Sequence, residues 1–543
     1  MNKELLSNTT TPARMQPELL RPNLSYPSIA YDKLLTQSAT SWPEHVAIVS
    51  HDSTLTYREL DTLTNQFAHA LQALGVKQGE RVCLLMTNRP EFIISCYAVA
   101  RVGAVFSAIN PAYKEREIAY QLANTEATVI VVQNELLPVI EVVRDQAPEL
   151  KHVISVGPGK LAAGLHHVSF ADLLKGQPTT PPAVEIAESD LVALPYSSGT
   201  TGLSKGVMLT HRNRVCNTMQ FANAMRVMEE DRSLIFLPLY HAYGAALMDC
   251  ALSTGATVVL MDRFNPDKCV QLIAQHRITL FSVVPPILMA LVAKPDLHKY
   301  DLSSVRYVMV GAAPLAPSVA QAFRQLTGVR IVQVYGLTEV GPSHLAPVDN
   351  DDLHMLESVG LPYFDTEQKV VDSETGLKEL AAGEVGELCL RGPQVMAGYW
   401  KAPEATASAL RDSWFYTGDI GFIDAHGYVF LQDRKKELIK YKGFSIAPAE
   451  LEALLLEHPA VADAAVIGIP DEEAGEVPKA FVVRTADSPD VSADELVQFA
   501  ATRLASYKTL HEVAFIEAIP RSPSGKILRR VLKEQEVQKL NHG

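Results

Sequence analysis

The sequence predicts a multidomain α/β protein, and three observations carry that prediction. Short apolar runs rich in β-branched residues, such as 129–132, 257–260 and 308–310, alternate with helical periodicity along most of the chain. That alternation is the signature of layered α/β structure with mostly parallel strands. The chain has 543 residues, more than one hydrophobic core usually accommodates. Finally, the pattern changes twice. Between residues 383 and 432, the runs 387–391 and 428–431 read as strands separated by glycine-rich turns, a smaller β-rich subdomain. After Asp433 the pattern restarts as a compact α+β unit of about 100 residues, enough for a separate domain.

Within that last unit, residues 447–457 read as an amphipathic helix. Pro448 stands in the first turn, Glu450 and Glu452 come early, and Leu451, Leu454 and Leu455 share a face. Strands are expected at 464–467, 480–484 and 512–516. Ser492 and Glu495 have capping-box spacing ahead of a helix carrying Leu496 and Phe499. The chain shows no internal repeat and no low-complexity tract.

Composition narrows the function classes. Hydrophobic residues make up 47% and charged residues 20%, ordinary for a globular chain and too apolar for disorder. The formal net charge of -14 argues against a nucleic-acid binder. The six cysteines are scattered, with no C-x-x-C pair, so neither a zinc site nor a disulfide framework is expected. A reducing compartment fits that usage, and no secretory pattern or peroxisomal ending is seen. The expected location is therefore the cytoplasm. The most apolar windows, 92–109 and 237–261, are broken by Arg101 and Gly103, and by His241, Asp249 and Gly255. They read as buried helix-then-strand segments rather than membrane spans. Peripheral membrane contact and oligomeric state stay open.

The most informative stretch is Tyr196-Ser197-Ser198-Gly199-Thr200-Thr201-Gly202-Leu203-Ser204-Lys205-Gly206. Its glycines permit turns that aim backbone N–H groups inward, its hydroxyls suit phosphate oxygens, and Lys205 adds a charge. Apolar runs on both sides place it between two strands. The G-x-x-x-x-G-K-[ST] pattern is absent. Alone, the loop also reads as an ordinary Ser/Thr/Gly surface turn.

Four further motifs follow in order: Tyr335-Gly336-Leu337-Thr338-Glu339, Tyr416-Thr417-Gly418-Asp419, Asp433-Arg434-Lys435-Lys436 and Pro523-Ser524-Gly525-Lys526. Together with the phosphate loop they resemble the adenylate-forming superfamily of acyl- and aryl-CoA synthetases, carrier-protein adenylation domains and firefly-type luciferases. The resemblance runs from about Thr40 to Leu532, nearly the whole chain. It implies a large N-terminal domain of layered α/β subdomains plus a small β-rich subdomain over 1–432, and a mobile C-terminal lid over 433–543, hinged near Lys436.

The resemblance also implies site residues. Ser197, Ser198, Gly199, Thr200, Thr201 and Lys205 would hold the ATP phosphates, and Gly311 and Ala312 would lie beside the adenine. Tyr335, Gly336, Thr338, Asp419, Arg434 and Lys436 complete the ATP/AMP set, with Asp419 on the ribose. Glu339, with Thr200, would serve Mg²⁺, which takes one or two carboxylates plus phosphate oxygens. Lys526 would stabilise charge developing on the transferred phosphoryl group and the pyrophosphate. Rotation of the lid would then replace Lys526 by Lys440, with Lys442, Gly443 and Arg263 near coenzyme A. His241 would assist adenylation or gate the thiol. Tyr243, Gly244, Leu247, Val340, Gly341 and Ser343 would line the acyl pocket.

Each residue also has a plainer reading. Thr338-Glu339 could start a helix, with Thr338 as N-cap and an acid in the first turn. Asp419 could be a turn residue. Lys440, Lys442 and the basic run after Lys526 could be solvated surface, and His241 a packed core residue. Three positions depart from related patterns: Ser445 where aryl ligases and luciferases usually have Gln, Leu247 where 4-coumarate ligases have Ser, and Ala245 where some long-chain synthetases have Trp. The sequence expectation is an acid-thiol ligase using ATP and CoA, with a medium- or long-chain fatty acid placed first and an aryl, 4-coumarate-like acid as the alternative. Loading of a carrier protein and a non-catalytic nucleotide sensor are the remaining readings.

Overall fold

The computed structural model describes residues 23–157, 167–197, 204–349, 353–442, 444–471, 473–488, 490–504, 508–522 and 525–542. The described strands form four sheets. In the first, Val46–Val49, Thr257–Leu260, Arg232–Ile235, Leu280–Val283, Tyr307–Val310 and Ile331–Leu337 lie side by side in that order, all parallel. The second is built on Val105–Ala108, Arg81–Leu85, Ala127–Gln133 and His152–Val156, again parallel. Both expected helix-then-strand windows are present. Pro90–Arg101 precedes Val105–Ala108, and Ala242–Ser253 precedes Thr257–Leu260.

The third sheet is the expected β-rich unit. Glu367–Val371, Gly386–Arg391, Trp414–Ile423 and Val429–Arg434 pair antiparallel. The fourth belongs to the C-terminal unit: the hairpin Ile439–Tyr441/Phe444–Ile446, the long pair Val461–Asp471/Gly475–Arg484, and Glu512–Phe515 added in parallel. The helices Pro448–Leu455 and Ala493–Ala501 cover it, the latter with Ser492 Oγ accepting from Glu495 N–H.

Packing separates two bodies. One continuous apolar cluster, from Tyr31 through Phe281 to Val429, joins the first three sheets. The C-terminal unit has its own clusters on the two faces of its sheet, around Leu451 and Val482 and around Phe481 and Leu532. The strand Val429–Arg434 is the last of the large body, Ile439–Tyr441 the first of the small one, and 435–438 connects them. Asp433 spans the junction. Its Oδ2 accepts from Ala449 N–H at 2.9 Å, serving a helix whose own N-cap, Ala447, has no side-chain acceptor. All six cysteines are buried and unpaired. Among the described residues, no helix is long and apolar enough to cross a membrane.

Candidate functional site

Asp419 and Arg434 are direct cross-strand partners in the pair Trp414–Ile423/Val429–Arg434. Arg434 Nε lies 2.6 Å from Asp419 Oδ1, and Tyr335 donates its hydroxyl to Asp419 Oδ2 at 2.5 Å. Asp419 is buried, so an unpaired charge there would be costly. Its two partners share that charge, and Asp419 in turn holds the Arg434 guanidinium charged. Asp419 is not a turn residue: it lies within the strand Trp414–Ile423, whose register shifts against Gly386–Arg391 around Gly418, at φ +72°.

Glu339 sits in the turn of an antiparallel hairpin, Ile331–Leu337/Gly341–Leu345. This corrects the helix-start reading of Thr338-Glu339. The β-branched run 331–334 continues as a strand, and Gly341, at φ +63°, closes the hairpin. A side chain at Gly341 would collide with Asn217, and one at Gly336 with the Gly341 carbonyl. Glu339 is 8% exposed and accepts the Tyr399 hydroxyl at 2.9 Å. Lys205 Nζ lies 5.2 Å from the centre of the same Tyr399 ring. Tyr399 is set there by pairing of Gly398–Tyr399 with Lys205–Thr210. Tyr399 lies outside the motifs singled out in the sequence, and only this strand pairing brings it to Glu339. Ser197 ends the short strand that pairs with Lys205–Thr210. Ser198, Gly199, Thr200 and Thr201 lie outside the described residues.

Lys526 reaches this cluster from the other body. Its loop is braced from within: Ser522 N–H donates to the Lys526 carbonyl at 2.8 Å, and Lys526 N–H donates to Ser522 Oγ at 3.1 Å. Arg521 adds an ion pair to Asp463 at 2.7 Å and a hydrogen bond to the Gly525 carbonyl at 2.9 Å. The loop docks through Gly525, at φ +81°, where a Cβ would stand 3.0 Å from Val284 Cγ2. Lys526 is exposed as a residue, but its ammonium is surrounded by protein. Burial lowers its pKa, Arg434 lowers it further, and Asp419 and Glu339 oppose both. The ammonium therefore lies within electrostatic reach of both buried carboxylates, Asp419 and Glu339.

His241 is the N-cap residue of Ala242–Ser253, and its loop is braced by Asn88, which donates to the Leu237 carbonyl and accepts from Leu239 N–H. Burial, then Lys526, push the imidazole down to about 4, so it is neutral near pH 7. Its buried Nε2 has no hydrogen-bond partner. From His241 a cleft runs inward between Phe92, Phe106, Leu209 and Met248. Thr338 and Gly341 line it, whereas the other expected pocket residues do not. Leu247, Val340 and Ser343 are buried in the core, with Ser343 Oγ bonded to His344 Nδ1. Gly244 packs against the Pro238 carbonyl, and Tyr243 donates to the Met309 carbonyl beside Gly311. The helical period turns these positions away from the cleft, and Ala242, Ala245 and Met248 face it instead. Gly311 packs against Val334, and Ala312 holds φ +72°, rare for a residue with a side chain and frequent at functional loops.

Of the residues expected around coenzyme A or in the thioester step, Arg263, Lys440 and Lys442 are exposed, as is Lys436 of the expected nucleotide set. Lys440 is the middle residue of the strand Ile439–Tyr441, its N–H donating to Glu476 Oε2 at 2.8 Å. Lys442 follows that strand at φ +45°. Gly443 lies outside the described residues.

Mg²⁺ can be tested against the residues present. Among the described residues no group of three or more His, Cys, Asp or Glu could hold a metal ion by itself. A single buried carboxylate near Lys205 suits Mg²⁺, which keeps several waters and takes its remaining ligands from phosphates. Glu339 is that carboxylate, oriented by Tyr399. When bound there the ion would neutralise phosphate charge.

A body built on two largely parallel sheets, a β-rich unit, and a smaller C-terminal unit whose Lys526 meets a cluster of buried carboxylates together define an adenylate-forming ligase. The chain belongs to the AMP-binding enzyme family: the AMP-binding enzyme model matches residues 35–400, and the AMP-binding enzyme C-terminal domain matches 450–526. It is 40% identical over 494 residues to 4-coumarate–CoA ligase of Pinus taeda, covering 89% of this chain and 90% of that protein. The crystal structure of the anthranilate CoA ligase AuaEII with anthranoyl-AMP superposes with TM-score 0.86 at 28% identity, covering 94% of this chain and 98% of that one. Mycobacterium tuberculosis fatty acyl CoA synthetase gives TM-score 0.74 at 32% identity, with 93% and 98% covered.

Proposed function

We propose that this enzyme converts an aryl or arylpropenoic acid of the 4-coumarate type, with ATP and coenzyme A, into its CoA thioester, AMP and pyrophosphate. The fatty acid placed first by the sequence gives way to the aryl alternative. Support comes from the 4-coumarate–CoA and anthranilate–CoA ligases it resembles, and from a cleft walled by Phe92 and Phe106. The apolar walls and the likeness to a fatty acyl CoA synthetase keep an alkyl acid as the second reading.

The observation that carries the activation step is the convergence of Lys526 with Glu339 and Asp419. A carboxylate oxygen of the acid attacks the α-phosphorus of ATP, and the bond to pyrophosphate breaks. Lys526 stabilises the negative charge that accumulates, Asp419 and Arg434 grip the nucleotide, and Lys205 meets its phosphates. In the second step a CoA sulfur attacks the acyl carbon and AMP leaves. The lid turns about Lys436, withdrawing Lys526 and presenting Lys440. Neutral His241 borders the acyl end of the cleft.

Purified enzyme with ATP, Mg²⁺ and CoA, offered aryl, arylpropenoic, fatty and short acids, tests this reading by AMP release and thioester mass. Thioester is expected with the arylpropenoic acids, at kcat/KM at least about tenfold above fatty acids. AMP release with none of the acids would sink the ligase, and a fatty-acid preference would restore the second reading.

A further inference from the structure

The inner end of the cleft is polar. Arg214 lines it and makes an ion pair with Asp249, and its guanidinium lies 5.3 Å from the centre of the Tyr31 ring. Asp249 also accepts the hydroxyl of Tyr31 and, at 3.3 Å, that of Tyr97. The pair is thus locked by the segment holding Tyr31, the helices Pro90–Arg101 and His211–Met225, and the helix Ala242–Ser253. Its net charge is zero. Removing two charges from water costs more than an apolar pair of the same size, so stability alone does not account for it.

One donor in this cluster is unspent. Arg214 Nε–H is buried without a partner. The amides that also line the cleft are committed. Asn213 donates to the carbonyls of Pro393 and Val395, Asn217 to that of Pro342, and Gln394 to Thr366 Oγ1. Two residues of one cleft therefore each carry a buried nitrogen without a partner, His241 Nε2 and Arg214 Nε, and they are set apart because Asp249, which holds Arg214, lies about 12 Å along the helix from His241.

Resting on the reading of this cleft as the acid's site, we propose that Arg214 is a specificity-determining residue that donates Nε–H to a neutral oxygen acceptor on the end of the acid remote from its carboxylate. Hydroxyl, ether and carbonyl oxygens fit. A terminal methyl group would leave the N–H buried and unpaired. A second carboxylate would confront Asp249, which already holds the guanidinium, and like charges at close range in a protein interior repel strongly.

Two matched acid pairs test this, each pair differing in a terminal oxygen function against methyl. One pair is arylpropenoic (para-methoxy against para-ethyl) and one linear (terminal hydroxyl against methyl), so the answer does not depend on the aryl reading. The wild type is expected to favour the oxygen-bearing member by about 10- to 100-fold in kcat/KM. Arg214→Lys keeps a cation for Asp249 but has no Nε–H. It should bring the ratio within about threefold, chiefly by lowering kcat/KM for the oxygen-bearing member. The double variant R214M/D249L, which removes the pair together, should invert the preference, and it decides the matter if Arg214→Lys does not fold. A wild type without the preference, a ratio unchanged in both variants, or a dicarboxylic acid outcompeting both members would overturn the assignment. AMP release with no acid at all would instead overturn the ligase reading beneath it.

Discussion

Arg434 Nε stands 2.6 Å from Asp419 Oδ1, the two residues directly opposite each other across an antiparallel strand pair. Either side chain alone would be a poorly compensated charge; together they present a fixed anion with a fixed cation beside it. Asp419→Ala leaves Arg434 without its carboxylate and Tyr335 without its acceptor. The expected outcome is a rise in KM for ATP of about 10- to 100-fold with the fold retained, measured by acid-dependent pyrophosphate exchange and thermal melting. An unchanged KM would remove Asp419 from the nucleotide site.

The half-reactions should separate by residue. Lys526→Ala is expected to depress adenylate formation by about 10²–10³-fold yet still convert supplied acyl-adenylate to thioester. Lys440→Ala should do the reverse. Loss of the same half-reaction in both variants would rule out the exchange of lysines.

Gly525→Ala probes the docking itself. The residue sits at φ +81°, and its new Cβ would meet Val284 at 3.0 Å. Adenylation should fall at least about tenfold, because the lysine beside it is displaced by a few tenths of an ångström or more. Thioester formation from supplied adenylate should be spared.

Tyr399→Phe removes the hydroxyl that Glu339 accepts but keeps the ring near Lys205. The Mg²⁺ concentration giving half-maximal adenylation should rise about three- to tenfold. An unaltered Mg²⁺ dependence would separate Tyr399 from the metal-linked carboxylate.

The buried imidazoles fix the acid side of the stability profile. Burial pushes His211, His241 and His344 down from 6.5 to about 4 in the folded chain. The unfolded chain therefore binds more protons between those values, and stability falls with falling pH. Their contribution is present in full above 6.5 and is lost as pH falls through about 4, which denaturation at stepped pH will read. On the alkaline side, kcat/KM for ATP should decline below the ordinary lysine value of 10.5, because Lys526 is lowered. Lys526→Arg, if active, should lose that limb.

Much of the architecture was legible because local pattern and tertiary role agree. The runs around Val131, Val259 and Val308 are β-branched and become central parallel strands. Pairings over distance were not legible. Thr338-Glu339 reads equally as a helix start until Gly341 is seen to close a hairpin. Asp419 and Arg434 are fifteen residues apart in the chain and meet only because the intervening strands fold back on each other. The expected acyl residues divide: Leu247, Val340 and Ser343 are buried in the core, whereas Gly341 lines the cleft. The sequence did carry a signal for its inner end. Asp249 is the one charge in the apolar helix Ala242–Ser253, and a buried charge needs a partner. Nothing local, however, points to Arg214.

Asp433 gives the connection between the two bodies a notch. Its carboxylate belongs to the last strand of one body and caps the first helix of the other. On the proposed turn of the C-terminal unit about 435–438, that cap would be exchanged for water at a cost of about 0.5–2 kcal/mol. Asp433 would then act as a detent, a catch that has to slip before Lys526 can leave Glu339 and Asp419.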